Sequence, residues 1–186
     1  MARVLVIVAE GAEETELMTV ADTLVRCDQE VVLAAGGDLH MRGSRMLPLC
    51  ADRPLDEAAR ETWDCIYLPG GAKQAEFCVQ DQRVQTLIRE QLGSERLLAI
   101  ICASPQALLP QDLARDRRLT CYPGLRDRVE PGAREWVDAA VVEDGNLITS
   151  QGPGTAAAMG LAIGRRLAGE TVAKGVAGQM LVPWPF

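Results

Sequence analysis

A doubly wound α/β sheet, mostly parallel and carrying a small inserted hairpin, is the fold class the sequence predicts. Three observations carry it. Four short apolar runs, at residues 4–9, 31–35, 65–68 and 97–101, are rich in Val, Ile or Leu and end in small or turn-forming residues. Such runs mark strands buried on both faces. Amphipathic stretches of helical period lie between and after them. Strand and helix patterns that alternate in this way close into a parallel sheet through right-handed crossovers.

Taken in order, the first strand leads into a helix over residues 13–26, whose stripe is Leu17, Val20, Ala21, Leu24 and Val25. The second strand is followed by residues 39–50, which break the rhythm and read as a hairpin. Residues 83–92 form a second amphipathic helix with Val84, Leu87, Ile88 and Leu92 on one side, and the fourth strand follows it. Residues 140–143 and 147–150 form a second hairpin-like unit around Asp144-Gly145-Asn146. Gly152-Pro153-Gly154 then opens a long helix over residues 155–167, which Gly169 stops. No repeat, low-complexity stretch or linker interrupts the chain, so one domain spanning residues 1–186 is expected.

Composition excludes several function classes. The 186 residues include 19 basic and 26 acidic side chains, a net charge of −7. Nucleic-acid binding, which needs a dense basic face, is not expected. No apolar run reaches the roughly 20 residues of a membrane span, and Met1–Val8 lacks the shape of a cleavable leader. A soluble cytoplasmic protein is the expectation. The six cysteines contain no C-x-x-C pair, and His40 is the only histidine. A disulfide framework and a zinc site are therefore disfavoured. Nucleophilic triads that need a histidine are disfavoured as well.

Three segments fall at carboxyl ends of strands, where chemistry collects in such sheets: residues 10–16, 69–72 and 102–105. Cys102 sits on a sharp strand-to-helix turn that resembles a nucleophile elbow without its flanking glycines. A helix N-terminus there would lower its pKa. Cys27, Cys65 and Cys78 read instead as small buried hydrophobes. Gly70 and Gly71 make a tight exit from the third strand, and they also allow backbone N–H groups to approach a reacting oxygen. Glu13 and Glu14 are accounted for by the helix dipole. Glu16, next to Leu17 on the buried stripe, is placed so that it can turn inward as a protonated carboxyl beside a thiol. Tyr122 follows another strand end, either as a wall of the cleft or as a packed aromatic. Lys73 lies near the cleft, and His40 reads as an exposed hairpin residue.

Glu10-Gly-Ala-Glu-Glu-Thr-Glu16, Leu68-Pro-Gly-Gly71, Ala99-Ile-Ile-Cys-Ala103 and Thr149-Ser-Gln-Gly-Pro-Gly-Thr155 together resemble the ThiJ/PfpI superfamily. Within it, the fit is to the branch of the Parkinson-associated deglycase and its bacterial YajL-like relatives. The resemblance runs from about Arg3 to Val182. It implies a flavodoxin-like sandwich that forms a homodimer, with Cys102 as reactive cysteine, Glu16 as its protonated partner, and the N–H groups of Gly71 and Ala103 as an oxyanion hole. Arg45 matches an arginine that reaches the partner subunit's site, and Arg26 a basic residue near the same interface. Human-type members have a histidine where this chain has Tyr122, and the bacterial branch an aromatic. The implied activity is that of a deglycase or cofactor-independent glyoxalase acting on small dicarbonyls or glycated adducts. No metal or organic cofactor is required. The alternative is a non-catalytic sensor or chaperone that works through oxidation of Cys102.

Overall fold

A computed structural model describes residues 1–185. Its first half runs β1 (Arg3–Val8), α1 (Glu14–Arg26), β2 (Glu30–Ala35), β3 (His40–Arg42), β4 (Pro48–Cys50), β5 (Arg53–Pro54), α2 (Leu55–Ala58) and β6 (Cys65–Leu68). The second half runs α3 (Ala72–Gln80), α4 (Gln82–Gly93), β7 (Leu97–Ile101), β8 (Arg118–Leu119), α5 (Arg126–Val129), β9 (Glu135–Trp136), β10 (Val141–Asp144), β11 (Leu147–Ser150), α6 (Ala156–Ala168) and α7 (Glu170–Gln179). A seven-stranded sheet has the order β10-β11-β7-β6-β1-β2-β5, and only the β10–β11 pair is antiparallel. The expected α/β architecture with its hairpin, β3 against β4, is what the chain adopts.

Alternation along β1 shows why its apolar run is continuous. Leu5 and Ile7 enter one core with Leu55, Trp63, Ile88 and Ile100, while Val4, Val6 and Val8 enter another with Leu17, Val20, Leu24 and Ile163. Both faces of the strand are covered by helices, so neither face has a use for polar residues. Among the described residues, no helix is long and apolar enough to cross a membrane.

Some boundaries differ from the sequence pattern. Glu13 caps α1 instead of starting it, its carboxylate accepting from Glu16 N at 2.8 Å. Val25 falls off the stripe and is 59% exposed. Before α6, Pro153–Thr155 form a short 3₁₀ turn. The segment after Cys102 is also a 3₁₀ helix (Ser104–Gln111), and Pro110 inside it removes a backbone donor that an α-helix needs.

Candidate active site

From β1 the chain steps to β2 on one side of the sheet, and from β6 to β7 on the other. The boundary between β1 and β6 is therefore the topological switch point, and the loops leaving their carboxyl ends part there. The segments after β1, β6 and β7 meet at this place. They line one side of a cavity of about 810 Å³ whose walls include Glu13, Arg45, Gly71, Lys73, Cys102, Ala103 and Tyr122. The hairpin tip and residues 122–125 close the other sides.

Cys102 ends β7 with φ of 63°, a left-handed conformation unusual for a residue with a side chain. Two hydrogen bonds hold it: its N–H donates to Ser150 O at 2.9 Å, and its carbonyl accepts from Tyr122 N at 2.8 Å. The elbow is thus fixed by β11 on one side and the 122 turn on the other. Backbone N–H groups of Gly71 and Ala103 point at its sulfur.

Beneath the thiol lies Glu16, fully buried in the first turn of α1. Its Oε2 accepts from Gly70 N at 2.7 Å, and its own carbonyl accepts from the Tyr67 hydroxyl at 3.1 Å. Oε1 is buried without a conventional partner, and the Cys102 thiol is the group that faces the carboxyl. Burial pushes the Glu16 pKa up to about 7, against the lowering pull of the Cys102 and Gly70 donors and with a further push from Glu13. Burial and then the Glu16 charge push the Cys102 thiol up to about 12, although the Gly71 and Ala103 N–H groups pull it down. The lowered pKa expected from a helix N-terminus does not hold. Cys102 is set deep beside a carboxyl, and the 3₁₀ turn that follows does not offset the loss of water. A negative Glu16 keeps the proton on sulfur, and a protonated Glu16 removes that repulsion and donates toward it. The charge on Glu16 and the proton on the thiol are thus coupled.

Both glycines are sterically required. A Cβ on Gly70 would stand 2.4 Å from Glu16 Oε2 and 2.5 Å from Cys102 Cβ. At Gly71, φ is 105° and a Cβ would meet Gly11 O at 2.1 Å. Any side chain here would separate the carboxyl, the thiol and the N–H donors.

The remaining expected residues divide. Tyr122 is half-exposed and lines the cavity with its ring over Gly124. Arg45 stands on the rim of this chain's own cavity. Arg26 is not brought to the cavity: it ends α1 at the opposite end from Glu16 and pairs with Asp22 at 2.7 Å. His40 is exposed, Lys73 lines the mouth, and Cys27, Cys65 and Cys78 are buried.

The acidic triple hides one functional side chain that the pattern of residues does not show. Glu14 is buried and grips the hairpin tip, accepting from Arg45 N at 2.8 Å, Leu47 N at 3.2 Å and Ser44 Oγ at 3.0 Å. Burial works to raise its pKa, but these donors and its own N–H outweigh it and hold the carboxylate below its ordinary value. Glu14 therefore keeps Arg45 at the mouth. Only the folded position of the hairpin identifies this role, since an acidic residue in a first turn otherwise reads as a dipole partner.

Known proteins resemble this chain in sequence and in fold. The family model of the DJ-1/PfpI family matches residues 2–166. Protein dj-1beta of Drosophila melanogaster is 37% identical over 181 residues, covering 97% of each chain. Its crystal structure superposes with a TM-score of 0.95 over 98% of this chain and 99% of that one. A Caenorhabditis elegans protein named glutathione-independent glyoxalase DJR-1.2 is 32% identical over 163 residues, 86% of this chain and 85% of its own. A structure titled Toxoplasma gondii DJ-1, oxidized, matches with a TM-score of 0.93 at 32% identity, covering 99% of this chain and all of that one. With the sheet order, the elbow cysteine and the buried carboxyl in place, the chain belongs to the DJ-1/PfpI family.

Proposed function

We propose that the protein converts small α-dicarbonyls, or their early adducts on amines and thiols, to hydroxy acids, with Cys102 as the nucleophile. The observation that carries this reading is the convergence on one sulfur of a buried carboxyl and two backbone N–H donors, open to a cavity of suitable size. The relative named as a glyoxalase supports it.

In this reading Glu16 takes the thiol proton as sulfur adds to the aldehyde carbon, and the Gly71 and Ala103 N–H groups hold the oxygen that becomes negative. Glu16 gives that proton to the oxygen, which makes a hydroxyl, and as a carboxylate again it carries the proton of the former aldehyde carbon to the neighbouring carbonyl carbon while the hydroxyl proton passes to the second oxygen. A thioester is left on Cys102, and water hydrolyses it. One carbon is oxidised and its neighbour reduced within the same molecule, so the reaction balances without an external electron acceptor. Tyr122 shapes one wall of the cavity. The test is lactate formation from methylglyoxal by the wild-type chain. Steady turnover supports the reading, and its absence overturns it.

A second reading follows from the same donors. Glu16, Gly71 and Ala103 are placed to stabilise a Cys102 sulfinate, as an oxidation sensor requires. Peroxide that forms sulfinate at Cys102 in a chain without turnover favours this alternative.

The working unit is a homodimer in this proposal. Met18 and Val25 on α1 and Met46 and Leu47 on the hairpin tip are each more than half exposed, and Met46 lines the cavity. Covering such side chains is what a second copy provides. Light scattering at micromolar concentration is expected to give twice the chain mass of 20.1 kDa. A single-chain mass contradicts the dimer.

A further inference from the structure

β6 pairs with β1 through Val4 opposite Cys65, Leu5 opposite Ile66 and Val6 opposite Tyr67. Two residues further along, this register brings Pro69 alongside Val8. Proline has no N–H, and the chain then turns away through Gly70 and Gly71, so the ladder stops while β1 still has groups to satisfy. Ile7 O and Ala9 N are the groups left facing the gap. A side chain fills it. Gln74, fully buried in the first turn of α3, donates from Nε2 to Ile7 O at 2.8 Å and accepts at Oε1 from Ala9 N at 2.6 Å. Its carboxamide has the donor and acceptor of a peptide group and lies where the missing peptide would be. The Pro69 carbonyl, also lost to the ladder, accepts from Ser104 Oγ at 2.6 Å.

We propose that Gln74 is a positioning residue that replaces the peptide Pro69 cannot supply and so holds the oxyanion-hole glycine in register with the buried carboxyl. The reasoning is one of linkage. Gln74 is three residues after Gly71, and the Ala75 N to Gly71 O bond of 2.9 Å makes that turn rigid. Ala9 leads directly into the loop that carries Glu13 and Glu16. Besides Gln74, the direct polar ties between the loop and the glycine turn are Glu13 N to Gly70 O at 2.8 Å and Gly70 N to Glu16 Oε2 at 2.7 Å. Losing the carboxamide leaves two buried backbone groups unpaired and frees the end of α3 to move away from β1. Gly71 N–H then no longer aims at sulfur. This inference deepens the active-site reading, because it assigns what sets the thiol's environment.

The test uses the full chain and reads Cys102 alkylation by iodoacetamide against pH, with exposed Cys50 as internal control. Glu16 from α1 and Tyr67 from β6 act on Cys102, which shares its cavity with Glu10, Glu13, Arg45, Lys73 and Tyr122, while Cys78 lies 3.4 Å from Gln74 Nε2. Gln74→Met keeps the length without the amide and is expected to slow Cys102 alkylation roughly tenfold or more, the loss of one donor to a charged sulfur, with Cys50 unchanged. Gln74→Glu supplies both bonds only as the neutral acid. The ratio of its Cys102 rate to that of wild type is expected to be near one at low pH and to fall toward that of Gln74→Met as pH rises, a dependence that a purely structural role would not produce. A folded Gln74→Met with the wild-type rate and pH profile overturns the proposal, as does a Gln74→Glu rate in fixed ratio to wild type at every pH. Should Gln74→Met not fold, the Gln74→Glu profile decides alone. A wild-type chain that forms no lactate removes the dicarbonyl reading and leaves this comparison standing.

Discussion

Cys102→Ser is expected to reduce lactate formation from methylglyoxal by about 10⁴-fold or more, the scale on which removing a nucleophile from a cooperating set acts. The reason lies in how tightly each nucleophile holds its proton. The Cys102 thiol, pushed up to about 12, passes its proton to Glu16, pushed up to about 7, as sulfur bonds to the carbonyl carbon. A serine hydroxyl holds its proton far more tightly, and the same carboxyl cannot remove it at neutral pH. Serine nearly preserves the shape of the elbow, so the Ser150 and Tyr122 hydrogen bonds to the backbone remain and the fold is expected to stay intact. Stopped-assay kinetics with far-UV circular dichroism on both proteins checks this. A loss under about a hundredfold would mean that another group starts the reaction.

Glu16→Gln separates binding the sulfur from moving the proton. The amide keeps a donor toward Cys102 and an acceptor for Gly70 N, so the thiol stays reactive to within about tenfold by alkylation, the worth of one hydrogen bond. Turnover is expected to fall about 10²–10⁴-fold, because an amide cannot accept and return a proton. The pH dependence has a definite sign. In the wild type, Glu16 is neutral below about 7 and charged above it, and the charge opposes thiolate formation. Wild-type alkylation therefore rises less steeply with pH above neutrality than that of Glu16→Gln. Equal slopes in the two proteins would place the carboxyl out of contact with the sulfur.

The sheet was legible because its strands are buried on both faces, which leaves uninterrupted apolar runs such as residues 4–8 and 97–101. Helix α3 was not legible. It begins directly after Gly70-Gly71 without a capping side chain, and its buried face includes the polar Gln74. Helix α7 was missed for a related reason: Gly175 and Gly178 dilute its apolar stripe, and Gly169 serves both as stop for α6 and as start for α7. At the site, Cys102, Glu16 and the glycine pair were legible from their places at strand ends. Glu14 and Gln74 were not, since each is explained by a partner distant in sequence: the hairpin tip for one, the unfinished edge of β1 for the other. Arg26 shows the converse. Resemblance put it with the site, whereas α1, rising about 1.5 Å per residue, carries it away from Glu16 to the far end of the helix.

Mass mapping of the covalent adduct formed when wild-type protein is mixed with methylglyoxal and quenched within one turnover tests the central claim most directly. The account predicts one bound dicarbonyl on the peptide that contains Cys102, formed and lost at the rate at which lactate appears. An adduct found only on exposed Cys50, with lactate still appearing, would contradict it.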